Sequence, residues 1–321
     1  MSTLRYLLSF VARNEWKIDH LDVVTAFLNP EIDAEVYMQQ PDGIDWLEPT
    51  TSKLNILRLN KALYSLRQAP HLWHKAIDGF LISIGFVRSN ADQNLYIRSD
   101  GVLLLLYVDD MLVAYADGSS ERAIDVKNAL MKQYQMSNLG PAKRFLGLDI
   151  TRLPDGSIVL SQQSYIESVI KRFGMEDANS APTPLFHKIR LNTDMSTDPE
   201  VDSAVYQAIV GSLMYAATST RPDIAYSIAA LCRYNAKPYT MHLTAAKTVL
   251  RYLKGTSDVG LVFPRRSKSR EESDVLVGYT DSDFAGDRAD RKSQGGFIFH
   301  AYGGPIDWQS KKPAPCRNID N

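Results

Sequence analysis

The sequence predicts an α+β fold, because helix-spaced and strand-spaced segments are mixed along one chain. Three observations carry this. Apolar residues recur at helical spacing at Tyr165, Ile166, Val169, Ile170 and Phe173. The stretch 102–116 consists of two apolar runs around a short acidic break, the pattern of a hairpin. Near the end, 275–280, 296–302 and 305–310 read as three strands, the last two separated by Gly303-Gly304.

Taken in order, residues 1–11 form an apolar run with no clear cleavage site that passes into Arg13-Asn14-Glu15-Trp16-Lys17. This is an amphipathic helix, not a signal peptide. The longest apolar run, 102–108, is well short of the ~20 residues that span a bilayer. Gly174 is a natural stop for the helix over 164–173. Residues 176–203 read as a linker, since Ala181-Pro182-Thr183-Pro184 and the polar run 192–199 can continue neither a helix nor a central strand. Helices follow at 205–218, at 223–234 behind Pro222, and at 243–254 before Gly255. A charged stretch, 265–273, marks a second soft boundary, and no internal repeat is present.

The 321 residues correspond to roughly two domains at about 150 residues each. With 45% hydrophobic and 23% charged residues, a wholly disordered chain, a collagen and a low-complexity polymer are excluded. Cys232 and Cys316 cannot build a disulfide framework and lack the Cys/His spacing of a zinc site, which points to a reducing compartment. The 36 basic and 37 acidic residues nearly cancel, but they are unevenly spread. Residues 18–52 hold eight acids and no Lys or Arg, whereas 221–270 hold ten bases and two acids. The basic stretch is either a solvated helix face with a charged loop or a track for nucleic-acid phosphates.

Acids stand in three unusual settings. Asp109-Asp110 interrupts the apolar hairpin where Asn-Gly or Asp-Gly would turn better. An exposed turn explains the pair; so does a Mg²⁺ site, since adjacent like charges repel unless a cation lies beside them. Asp22 lies within Leu21-Asp22-Val23-Val24-Thr25-Ala26-Phe27-Leu28, either capping a following helix or paired with something the spacing does not reveal. Asp281 opens Asp281-Ser282-Asp283-Phe284-Ala285-Gly286-Asp287, which is no EF-hand: Ala285 and Lys292 occupy ligand positions five and twelve. Asp281 is therefore a surface-loop residue or a strand-end metal ligand. No Walker loop, Gly-x-Ser-x-Gly, His-Glu-x-x-His or dinucleotide fingerprint is present. His71 and His74 read as surface residues beside Trp73.

A series of motifs in fixed order makes the chain recognisable. They are the Asp22 segment; Glu35-Val36-Tyr37-Met38-Gln39-Gln40-Pro41-Asp42-Gly43; Leu63-Tyr64-Ser65-Leu66-Arg67-Gln68-Ala69-Pro70 with Trp73; and Tyr107-Val108-Asp109-Asp110. Phe145-Leu146-Gly147-Leu148-Asp149-Ile150, Leu160-Ser161-Gln162, Gly211-Ser212-Leu213-Met214-Tyr215, Thr220-Arg221-Pro222-Asp223-Ile224 and Leu250-Arg251-Tyr252-Leu253-Lys254-Gly255-Thr256 follow. Almost end to end, the chain resembles the reverse transcriptase region of copia-type LTR retrotransposon Pol polyproteins, followed by the start of their ribonuclease H domain.

The resemblance implies a right-hand polymerase palm with partial fingers and thumb over 1–175 and the linker over 176–203. It further implies a basic helical connection over 204–264, the start of a ribonuclease H-like sheet over 274–312, and a tail at 313–321. It implies RNA-directed DNA polymerase activity, with Asp22, Asp109 and Asp110 holding two Mg²⁺ (or Mn²⁺) ions and Asp281 as the first ribonuclease H metal ligand. Phe27 would be the steric gate against a 2′-hydroxyl, and Tyr64, Ser65, Arg67 and Gln68 would contact the nucleotide. Arg221, Lys247, Arg251, Lys254, Arg265 and Arg266 would track an RNA–DNA hybrid. The implied partners are an RNA template, a DNA primer and deoxynucleoside triphosphates, with no membrane, in a cytoplasmic particle or the nucleus.

Some positions depart from the family pattern. Ser65 and Pro30 stand where the family usually has Gly, the preceding fingers segment is absent, and the chain ends before the further ribonuclease H acids. The expectation from these is a truncated or decayed copy. The alternative is a non-catalytic nucleic-acid-binding remnant that uses only the basic helices of 221–270.

Overall fold

The chain opens with α1 (Ser2–Arg13), whose Leu4, Leu7, Leu8 and Val11 fall on one stripe and are buried, as the apolar spacing predicts. The structure is a computed structural model that describes residues 1–41, 56–185, 191, 198–265, 276–283 and 293–312. The fold is mixed α/β, in two units: Trp16–Ala142, and Met1–Glu15 together with Lys143–Asn321. The division therefore falls at 142/143, not at the predicted 175/176. Strand pairing accounts for this, because the sheet that starts at residue 144 is completed by a strand at 261–263, which pairs with 158–160.

The unit 16–142 contains β1 (Lys17–Val23), β2 (Tyr37–Gln39), β3 (Ile56–Arg58), α2 (Ala69–Ser83), β4 (Phe86–Arg88) and β5 (Leu95–Arg98). It continues through β6 (Val102–Tyr107), β7 (Asp110–Tyr115), α3 (Ser120–Gln133) and β8 (Met136–Pro141). Six strands form an antiparallel sheet in the order β4-β5-β6-β7-β1-β8; β2 and β3 pair separately. Side chains alternate across a strand. Leu21, Val23, Met111, Val113 and Tyr115 thus share one face, where they pack with Trp73, Ile77 and Leu81 of α2 and Ala123, Val126 and Leu130 of α3. A buried polar residue on that face is Asp19, whose Oδ2 accepts hydrogen bonds from Lys127 Nζ at 2.6 Å and Tyr115 Oη at 2.9 Å. This pair ties α3 to the two central strands.

The other unit holds α1, then β9 (Arg144–Phe145), β10 (Leu148–Arg152), β11 (Ile158–Ser161), α4 (Gln163–Arg172), α5 (Ser203–Ser219), α6 (Ala225–Cys232) and α7 (Thr240–Lys254). It ends with β12 (Leu261–Phe263), β13 (Leu276–Ser282), β14 (Gly295–Ala301) and β15 (Gly304–Lys311). Strand order in the first sheet is β12-β11-β10-β9. Helices α4 to α7 bury a common core that includes Ile166, Ile209, Leu213, Ile228 and Val249. Helix α6 is shorter than predicted because Pro222 opens a 3₁₀ turn, Pro222–Ile224, before the α-helix begins. Helix α7 starts earlier than predicted, because a capping box between Tyr239 and His242 closes its first turn.

The last three strands form one antiparallel sheet, β13-β14-β15. The turn between β14 and β15 is Tyr302-Gly303, with φ of 51° and 85°. Gly304 belongs to β15 and must be glycine for a packing reason: a Cβ there would lie 2.4 Å from Phe263 Cδ1. Strand β15 packs on α1, α6 and β12. Trp308 is central to that contact: its indole N–H donates to the Ala217 carbonyl at 2.8 Å, and the Arg5 guanidinium lies 3.9 Å above its ring. Among the described residues no helix is long and apolar enough to cross a membrane.

Candidate active site

The register of the central strands brings the motif acids together. Strands β6 and β7 pair from Val102↔Tyr115 to Tyr107↔Asp110, leaving Val108-Asp109 as a two-residue turn. Strand β1 runs antiparallel to β7 with Asp22 directly opposite Asp110, and the Val23 N–H donates to the Asp109 carbonyl at 2.9 Å. Asp22, Asp109 and Asp110 thus meet at one end of the sheet although 87 residues of sequence separate the first two.

The Asp22 carboxyl is raised above the usual carboxylate range, first by burial and then by the charges of Asp110 and Asp109, with His20 opposing. His20 lies two residues before Asp22 on the same strand face, and its Nε2 is 2.8 Å from Asp110 Oδ1. As placed, the carboxylates do not converge on one centre: among the described residues no group of three or more His, Cys, Asp or Glu could hold a metal ion. The raised Asp22 carboxyl has a direct consequence. The ionised form is disfavoured in the folded state, so it costs stability above the ordinary carboxylate pKa, and that cost disappears once both states are protonated. Asp22→Asn is therefore expected to raise the melting temperature of the metal-free protein at pH 7 by about 1–3 °C, a gain that disappears below about pH 4. Thermal unfolding at both pH values checks this.

Phe27 lies in a short 3₁₀ turn, Ala26–Leu28, entered through Thr25 at φ 53°. Its half-buried ring meets Tyr64 with centroids 4.9 Å apart. Ser65 and Arg67 are exposed, and Gln68 stands at the N-cap position of α2 without a side-chain capping bond. Ser65 has φ 75°, in the left-handed region that glycine enters without strain. This accounts for glycine being the ordinary residue there. Ser65→Gly is expected to stabilise the protein by about 1 kcal/mol, read by chemical denaturation.

The predicted phosphate track is largely redirected into the protein itself. Arg221 is fully buried; its guanidinium bonds Asp223, the Thr256 carbonyl at 2.7 Å and Thr256 Oγ1 at 2.7 Å. It is an internal strut, not a phosphate ligand. Arg251 Nε donates to the Asn179 carbonyl at 2.5 Å, and Lys254 Nζ donates to the carbonyls of Glu176 and Ala178. These two fasten the segment after α4 onto α7. Arg265 pairs with Glu15 at 2.7 Å. Lys247 is exposed on α7, and Arg266 lies outside the described residues. Four of the six named basic residues, Arg221, Arg251, Lys254 and Arg265, thus have partners within the protein.

Asp281 lies within β13 opposite Gly296, one residue deeper in the strand than predicted. It is exposed, its Oδ1 accepts from the Ser282 N–H at 2.8 Å, and it lines a cavity of about 400 Å³ with Asp283, Gln294, Ser310 and Tyr226. Asp287 and Asp290 lie outside the described residues. His71 is exposed and His74 half-buried, while Trp73 between them is buried and donates its indole N–H to the Val108 carbonyl at 2.7 Å. Sequence reasoning assigned no role to His20, although its period-2 spacing to Asp22 was an available signal; it grouped Trp73 with the motif of residues 63–70 and gave no hint of its bond to the turn.

Comparison with known proteins agrees with the motif order. Residues 1–187 match the family described as reverse transcriptase (RNA-dependent DNA polymerase). The chain is 38% identical over 321 residues to the retrovirus-related Pol polyprotein from transposon TNT 1-94 of Nicotiana tabacum, covering 97% of this chain and 23% of that protein. It is 35% identical over 315 residues to the Pol polyprotein from transposon RE1 of Arabidopsis thaliana, covering 97% and 20%. It is 37% identical over 298 residues to a transposon Ty5-1 protein of Saccharomyces cerevisiae, covering 91% and 92%. The chain thus spans about a fifth of the plant polyproteins it matches. A structure of the foamy viral protease-reverse transcriptase in complex with RNA/DNA hybrid aligns over 98% of this chain and 35% of that one, at 13% identity and a TM-score of 0.48. On its match to the family over 187 of 321 residues and its identity to these relatives, the chain belongs to the reverse transcriptases of copia-type retrotransposon Pol proteins.

Proposed function

We propose that this chain carries the polymerase centre of an RNA-directed DNA polymerase, with the sheet of 16–142 and its two covering helices as the palm. The reaction is attack of a DNA primer 3′-hydroxyl on the α-phosphorus of a deoxynucleoside triphosphate, directed by an RNA template and releasing pyrophosphate. The observation that carries this reading is the register that sets Asp22 opposite Asp110 with Asp109 in the adjoining turn.

The donor set, three carboxylates at one end of the sheet, suits a divalent metal in its chemistry, although as placed the three do not close on one centre. Hard cations take carboxylate oxygen. An Asp22 carboxyl raised first by burial and then by two neighbouring acids also marks a place short of positive charge. Asp22, Asp109 and Asp110 would hold Mg²⁺ or Mn²⁺, which when bound supplies Lewis-acid stabilisation of the entering and leaving oxygens. His20, by bonding Asp110 Oδ1, restricts that carboxylate's rotation and leaves Oδ2 available. The Phe27 ring, backed by Tyr64, excludes a 2′-hydroxyl, so deoxynucleotides are selected. The exposed Arg67 offers the triphosphate a planar, bidentate donor. Gln68, at the start of α2, offers an amide to the nucleotide or template. Asp281 would serve a ribonuclease H-like centre in the same way, as the first acid of a second metal site.

Primer extension by the purified chain on an RNA template tests the reading. Extension with deoxynucleotides in Mg²⁺ or Mn²⁺, none in EDTA and little with ribonucleotides is the expected result. A protein that binds primer–template but extends it in neither metal would overturn it.

A further inference from the structure

We propose that Trp73 is a positioning residue of this centre: its indole N–H holds the turn that carries Asp109 and Asp110 in a left-handed backbone conformation that Val108 would not otherwise keep. The inference rests on the polymerase reading above.

The turn is an unfavourable one for its sequence. Two-residue hairpin turns require positive φ at the first central position and favour Asn, Asp or Gly there. Here that position is Val108 at φ 57°. A β-branched residue in the left-handed region costs about 1–2 kcal/mol. Core packing does not repay this, because Val108 is 41% exposed and its neighbour Tyr107 is 54% exposed. Strain of this kind persists only where the surroundings over-determine the conformation.

The surroundings do so through two hydrogen bonds, one to each turn carbonyl. The Val23 N–H at the end of β1 donates to the Asp109 carbonyl at 2.9 Å. The Trp73 indole N–H donates to the Val108 carbonyl at 2.7 Å. Trp73 is itself immobilised: it is 2% exposed in the core under the sheet, edge-on to Tyr134 at 5.2 Å. Tyr134 is in turn edge-on to Phe80 at 5.6 Å and bonds the Ala76 carbonyl at 3.3 Å. A rigid donor on α2 therefore reaches the exposed tip of a hairpin from beneath.

The tip needs such a hold. Asp22, Asp109 and Asp110 lie side by side at one end of the sheet, and like charges so placed repel one another. With both turn carbonyls bonded, the turn cannot swing out without breaking the Val23 bond to Asp109 and the part-buried indole bond to Val108. The turn is thereby held beside β1 before any cation arrives, which lowers the ordering cost of binding one.

The test uses Mn²⁺ binding, followed by the electron-spin signal of the free ion, and hydrogen exchange of the Val23 amide in metal-free protein. Trp73→Phe keeps an aromatic ring and removes the donor. It is expected to weaken Mn²⁺ binding by about ten-fold, the scale of losing an outer-shell partner, and to speed Val23 exchange. Val108→Gly in the Trp73→Phe background is expected to restore both, since glycine occupies φ 57° without strain. If Trp73→Phe does not fold, 3-benzothienylalanine at position 73 keeps the ring shape and removes only the N–H. Unchanged Mn²⁺ affinity and Val23 exchange in the donor-less variant would overturn the inference. So would losses that Val108→Gly fails to restore, which would reduce Trp73 to packing. Failure of the polymerase reading looks different: Mn²⁺ binding to the wild type would then be indifferent to Asp110→Asn, whereas the Val23 exchange comparison would still report on the hold itself.

Discussion

Asp110→Asn should lower primer extension by at least about 100-fold while leaving primer–template affinity within about two-fold of wild type. Asn keeps the volume and one carbonyl oxygen of Asp, so the hairpin register Tyr107↔Asp110 and the hydrogen bond to His20 can survive. What it removes is the charge next to Asp22. That charge repels its neighbours in the metal-free protein and is what a divalent ion would use. Duplex affinity comes from bases that neutralise phosphates, and an acid contributes nothing to it. Single-turnover extension and a binding isotherm on the same preparation separate the two effects. Undiminished extension by Asp110→Asn would remove Asp110 from the chemistry. Asp22→Asn should lose activity similarly yet raise thermal stability, a divergence that marks a residue kept for function at a cost in fold.

Arg221→Ala should destabilise the unit that contains it by about 3–5 kcal/mol, without any specific loss of duplex binding. The guanidinium is fully buried, bonds Asp223 through Nε and Nη2, bonds Thr256 twice, and lies 5.5 Å from the Tyr252 ring centroid. Its loss leaves the Thr256 carbonyl and a partly buried carboxylate without their main donor. Burial alone would raise the Asp223 carboxyl; the Arg221 hydrogen bonds and charge, with the Tyr252 hydroxyl, outweigh it, so the carboxyl sits below its ordinary value. A depressed carboxyl contributes stability that is present above the unfolded-state pKa of about 3.9 and is lost as pH falls through the folded value. The wild type should therefore lose this contribution below about pH 4, and Arg221→Ala should show a flatter acid limb. Urea unfolding at pH 7 and pH 3.5 measures both. Loss of duplex affinity with unchanged stability would instead return Arg221 to a binding role.

Local pattern was a good guide to elements. The apolar runs on either side of Asp109-Asp110 became β6 and β7, the spacing over 164–173 became α4, and the three last strands formed one sheet. Motif order was a good guide to family, since it rests on many short segments in sequence. Boundaries were less legible. Helix α7 begins at Thr240 because the His242 ring closes a capping box, and Asp281 lies inside β13 because pairing with β14 continues to Ser282. Neither the ring's orientation nor the length of a ladder is written in hydrophobic periodicity.

By itself the sequence determined the α+β class, the hairpin around Asp109-Asp110, the acids available to a metal, and the reverse transcriptase family. Each depends on residues a few positions apart, the range over which periodicity and motif spacing act. Only the tertiary structure decided that Asp22 faces Asp110, that Trp73 reaches the Val108 carbonyl, and that Arg221 meets Thr256, 35 residues further on. The reason is that a charge or an indole N–H is satisfied by whatever packing brings within about 3 Å of it. Strand register and helix docking settle that partner, and many arrangements of the same local pattern would have settled it differently.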